Sequence, residues 1–229
     1  MLLCFLCSFS IFTERIKRKM MKEKGKIDRS HSRGWRTMSM NKQNDTNNNQ
    51  ASEQFIELLG QPYDANQVQT FLEPFGVKRI AKPDGPFQDD IIWSAKASVR
   101  IDVYRSPNIN TLTGRDDLPA DEWIIGAIYF LAPGSDDRIK KPFAGQLPKG
   151  ITMNSTPDEW IEAYGQPDIY EQGDWLGGSG PYLAWRKSDI NISVEYETDE
   201  DSSVITCVKY CLIGCMGAWK SDYPEVFSP

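Results

Sequence analysis

Three cysteines, Cys207, Cys211 and Cys215, recur every four residues, a spacing that could hold a metal. A closed zinc site needs four Cys, His or carboxylate ligands, and the single histidine, His31, lies far away. The better reading is three buried, weakly apolar cysteines. Nucleophilic catalysis needs a base beside a Ser or Cys, and that lone histidine cannot serve one in the body of the chain. "GGSG" at 177–180 has no following Lys-Ser/Thr, so it reads as a turn and not a phosphate loop. Glu195 and Glu197 could form a glycosidase-like pair. In an alternating strand they share one outward face, where solvated carboxylates are the rule. The expectation is a protein that is not an enzyme, with no metal and no cofactor.

These residues must be positioned by elements that the sequence marks clearly. Ser52 can cap a helix in which Phe55, Leu58 and Leu59 form one apolar stripe, ended by Gly60 and Pro62. Thr156-Pro157-Asp158-Glu159 is a capping box that opens a second such helix, with Trp160, Ala163 and Tyr164 as its stripe and Gly165 and Pro167 as its stop. Asp64 can cap a further helix over about 64–76. After the first stop, Trp93 ends one apolar run, Val99, Ile101 and Val103 alternate with polar residues, and "IIGAIYFL" from Ile124 is continuously apolar. After the second stop, Trp185, then Ile190, Ile192 and Val194, then "VITCVKYCL" from Val204 repeat that order. Trp93, Trp160 and Trp185 are assigned to the core.

Four elements twice in the same order predict an internal duplication. The expected fold class is α+β: two tandem copies of a helix followed by a three- to four-stranded antiparallel sheet. The expected domains are a basic, Asn-rich tail at 1–50, a first repeat at 51–150 and a second at 151–229. The copies differ in a long acidic loop, "SPNINTLTGRDDLPADE", and in a glycine-rich loop, "EQGDWLGGSGP". Long loops of this kind are usually functional or disordered.

The first fifty residues read differently from the rest. A twelve-residue apolar run, "MLLCFLCSFSIF", precedes the basic residues, the reverse of a signal peptide. It is shorter than the roughly 20 residues that span a bilayer. Cys7 follows Leu6, which does not suit lipidation. The Asn-rich stretch before residue 51 has too little apolar surface to order itself. The reading is either an upstream translation, with the functional chain starting near Met40, or a basic arm that orders on a partner.

Charge separates the two parts. The protein carries a formal charge of −6, but residues 1–50 hold 11 basic and 4 acidic residues, leaving 15 basic and 28 acidic in the remainder. A body at −13 disfavours nucleic acid and anionic membranes and steers a basic partner toward it. The candidate contacts are Asp116, Asp117, Asp121 and Glu122 in the first acidic loop and Asp199, Glu200 and Asp201 in the second. Trp175 and Tyr182 flank the glycine-rich loop as aromatic anchors, with the alternative for Trp175 of folding back over a sheet edge.

The helix, Gly-x-Pro stop, tryptophan strand and alternating hairpin resemble the outer-membrane-lipoprotein assembly factors of the SmpA/OmlA type. In tandem, they resemble the beta-lactamase inhibitory proteins. The residues are Phe55, Gly60, Pro62, Trp93, Val99, Ile101 and Val103, then Trp160, Gly165, Pro167, Trp185, Ile190, Ile192 and Val194. The stretch "FAGQLPKGITMNSTPDEW" is similar to bacterial proteins, some resembling immunity proteins of toxin systems. The resemblance implies a cytoplasmic immunity or inhibitor protein that neutralises a basic toxin or enzyme by occlusion. The alternative is an envelope assembly or scaffold protein. A third reading, a carboxylate-only enzyme, requires acidic residues from both halves to converge in one deep pocket.

Overall fold

The computed structural model describes residues 51–84, 86–173, 180–199, 202–216 and 223–229, with the backbone alone at 198, 199, 202 and 203. All of them belong to one unit, Asn41–Pro229. A helical segment at 51–56 leads through Gly60 to helix α1 (Ala65–Leu72). Asp64 caps α1 by accepting from the Asn66 amide at 2.8 Å, as its side chain and position predict. Ser52 is not a cap: it lies inside the helical segment and is buried. Strands β1 (Asp89–Ser94) and β2 (Val99–Arg105) follow as a hairpin. The acidic loop contains a short helix, α2 (Asn108–Thr113), which the sequence reading did not foresee. Strand β3 (Trp123–Leu131), helix α3 (Pro157–Tyr164) and strands β4 (Ile169–Glu171), β5 (Tyr182–Lys187), β6 (Ile190–Asp199) and β7 (Ser202–Leu212) complete the sheet, and α4 (Pro224–Phe227) closes the chain. The Thr156–Glu159 capping box forms on α3 with both reciprocal bonds.

The expected pair of tandem helix-plus-sheet copies is corrected here. The protein is sheet-rich, with one seven-stranded antiparallel sheet in the order β1-β2-β3-β7-β6-β5-β4 and a few short helices. The register from Ala127↔Cys211 to Leu131↔Cys207 joins β3 to β7 and makes a single sheet of what read as two. The physical reason lies in those two strands. β3 is apolar along its whole length and β7 over most of Val204–Leu212, and each would end its own small sheet as a bare edge of unpaired amides and carbonyls. By pairing with each other they become the middle of the sheet, where Ile128, Phe130, Val208 and Cys211 are fully buried.

The two faces of this sheet differ. On the apolar face, Ile101, Phe130, Tyr210 and Trp185 meet the helices, with Phe55 edge-on to Phe130, and Trp160 stacked on Trp185 at 6.1 Å between ring centres. The Tyr164 and Tyr210 hydroxyls share a buried hydrogen bond at 3.0 Å, and the Trp185 indole N–H donates to the Gly165 carbonyl at 2.8 Å. Trp160 and Trp185 are therefore core, as expected. Trp93 is not: it is half-exposed on the other face, beneath the guanidinium groups of Arg138 (3.7 Å from its ring centre) and Arg100 (5.4 Å).

Candidate functional site: a polar cavity and an acidic sheet end

The second face carries the alternate residues that read as outward and solvated. Arg100 and Asp102 on β2, Ser193 and Glu195 on β6, and Lys209 on β7 all stand on it. They are withdrawn from water because the chain turns back over them after β7. Gly214 has φ +92, and its amide donates to the Phe227 carbonyl. The next two residues then reach the sheet: the Cys215 carbonyl accepts from Lys209 Nζ at 2.8 Å, and Met216 sulfur meets Ser193 and Cys211. As a result, Asp102, Lys209 and Ser193 are each 5% exposed or less.

Between this segment and β1 lies a cavity of about 360 Å³. Arg100 and Asp102 form one wall as a two-pronged pair, Nε to Oδ1 at 2.6 Å and Nη2 to Oδ2 at 2.8 Å. The Tyr129 hydroxyl also donates to Asp102 at 2.9 Å, and its ring lies under both Arg100 (4.5 Å) and Lys209 (5.0 Å). Loss of hydration raises the Glu195 carboxyl above the ordinary glutamate range, and the Lys209 charge opposes that rise. Desolvation likewise holds the Cys211 thiol up at about 11, so it is an unreactive neutral group. The three cysteines Cys207, Cys211 and Cys215 are buried, and Cys207 and Cys211 are free thiols. Among the described residues no cluster of His, Cys, Asp and Glu could hold a metal ion.

Glu195 and Glu197 do share a face, but they are not both solvated. Glu195 is half-buried in the cavity wall opposite Cys207, and a register shift after it leaves Glu197 exposed opposite Val204. Of the expected contact residues, Asp116, Asp117, Asp121 and Glu122 are exposed around the start of β3. Asp117 pairs with Arg115 at 2.7 Å, and that hydrogen bond lowers its carboxyl below the usual range. Asp199 ends β6 opposite Ser202, where the β6–β7 hairpin runs on past the far end of β3 at Leu131↔Cys207. Glu200, Asp201 and Trp175 lie outside the described residues. The first acidic loop and Asp199 are thus separated by the length of β3 and that overhang, roughly 40 Å at about 3.3 Å per residue. Tyr182 is not an exposed anchor: it is 4% exposed, opposite Glu195 in the β5–β6 register.

Two residues missed by the sequence reading join the first acidic loop. The register Asp89↔Tyr104↔Ile124 sets the start of β1 at the same end of the sheet as Asp121 and Glu122. There Phe87 is 73% exposed and Ile91 41% exposed, beside Asp89 and Asp90. Their only sequence signal was large apolar residues amid acidic ones ahead of the Trp93 strand. No protein-family model, curated protein or solved structure matches this chain. Among the described residues, no helix is long and apolar enough to cross a membrane.

Proposed function

We propose that the chain is a non-enzymatic binding protein that neutralises a basic protein partner by occlusion, in the manner of a bacterial immunity or inhibitor protein acting in the cytoplasm. The observation that carries this reading is the acidic sheet end. Exposed Ile91 on the edge strand β1 and exposed Phe87 just before it stand among Asp89, Asp90, Asp121 and Glu122. Exposed aromatic and aliphatic anchors among several carboxylates suit a partner of the opposite sign, even with Arg105 stacked on Trp123 at the same end. The outer edge of β1 is unpaired by any described strand, so its backbone can also accept a partner segment. The free thiols of Cys207 and Cys211 fit a reducing compartment.

The test is coexpression with toxins encoded beside the gene, followed by association kinetics. Expected are protection of the host and an association rate that falls at least about tenfold between low and high salt. Combined Asp89→Lys, Asp121→Lys and Glu122→Lys substitution weakens that binding. Absence of protection against every neighbouring toxin overturns the reading.

One observation favours the carboxylate-enzyme alternative: Asp102 and Glu195, from the two halves of the chain, do line one cavity. Both oxygens of Asp102 are already held by Arg100 and Tyr129, and those of Asp90 accept from the Ile91 and Asp84 amides. Of the carboxyls that line the cavity, this leaves Glu195 only Asp89 to pair with, and Asp89 is exposed at the start of β1.

A further inference from the structure

Lys209 is 5% exposed, and its ammonium has three donors. The Cys215 carbonyl takes one, and among the described residues no carboxylate pairs with it. Glu195 lines the same cavity, and no described residue donates a hydrogen bond to its carboxylate. The two opposite charges influence each other across the space but do not form an ion pair. A buried ammonium and a half-buried carboxylate left mutually unpaired are costly unless something neutralises both. Arg100 and Asp102 satisfy one another and serve as wall. Asp90, which also lines the cavity, accepts from the Asp84 and Ile91 amides, and Asp89 is exposed to water.

We propose that this cavity binds a small zwitterion of the α-amino-acid class, with its carboxylate on the Lys209 ammonium and its own ammonium on the Glu195 carboxylate. A simple anion would answer Lys209 and leave Glu195 facing it; a simple cation would do the reverse. Only a ligand with both charges a few ångströms apart completes both. The volume, about 360 Å³, falls within the range of small-molecule sites. Tyr104 and Tyr129 supply aromatic walls for the ligand's side chain. The proposal goes beyond the protein-partner reading and does not rest on it: Asp89, Asp90 and Ile91 of β1 border both the cavity and the proposed docking edge, but Glu195 and Lys209 stand on β6 and β7.

Calorimetric titration and thermal melts of the full chain with each of the twenty amino acids, to about 10 mM, test it. Saturable one-to-one binding of at least one amino acid is expected, with a rise in melting temperature. On the unaltered protein, the N-acetyl and amide derivatives of that amino acid, each lacking one charge, bind at least about tenfold more weakly. Glu195→Gln and Lys209→Met each reduce binding to a similar extent, with folding checked by the same melts. Failure of all twenty to saturate overturns the proposal. So does equal binding of the blocked derivatives, or unchanged binding by both folded variants.

Discussion

At the scale of the residue, Glu195 has the most to say about solution behaviour. Burial raises its carboxyl above the ordinary value of 4.5. Between that value and the raised one, the folded chain holds a proton that the unfolded chain has released. Stability from this group is therefore full below about pH 4.5 and declines as pH rises through the folded value. Glu195→Gln removes the decline. Urea midpoints measured from pH 4 to 8 should show the variant gaining on the native chain as pH increases. A parallel pair of curves would mean that Glu195 is hydrated like any surface carboxylate. Its burial was not legible in the sequence. The alternation of β6 gives the face correctly, but only the return of residues 213–216 over that face takes it out of water.

At the scale of the element, most local signals were accurate, Ser52 and the unforeseen α2 excepted, and the long-range ones were silent. Gly60, at φ +80, stops its segment where the Gly-x-Pro pattern places the stop, and the capping box opens α3. These depend on neighbours within a turn. The union of β3 with β7 depends on residues far apart in the chain, which no periodicity announces. Gly214 illustrates the same limit. A Cβ there would lie 1.9 Å from the Leu112 carbonyl oxygen, so the turn after β7 is wedged against α2. The clash is with backbone, and the φ of +92 disfavours any other residue. Gly214→Ala is expected to cost about 3 kcal/mol or more by combining overpacking with backbone strain. By contrast, Gly165→Ala meets open space and bears only the backbone cost of φ +79 with ψ −175, a region essentially confined to glycine, of order 1–3 kcal/mol. Chemical denaturation of both variants checks the ranking; equal losses would show that the turn can slide away from α2.

At the scale of the whole molecule, one sheet means one cooperative structure. Residues 51–150 contain α1, β1, β2 and β3 but not the strand that completes β3. A fragment ending at 150 is therefore expected to lack a cooperative melt and to bind a hydrophobic dye, whereas residues 41–229 unfold in a single transition. A sharp, reversible melt of the short fragment would restore the two-module view that the repeated Gly-Gln-Pro pattern suggests.

The β3–β7 pairing also sets a clock on synthesis. Phe130 leaves the ribosome 78 positions ahead of its partner Val208. At about 5–20 residues per second, β3 waits roughly 4–16 s with one backbone edge open and its apolar residues without their neighbour. Nascent chains are most exposed to clumping in that interval. Slower initiation, lower growth temperature or a holding chaperone acting during those seconds should raise the yield of soluble protein more than any change to the finished surface.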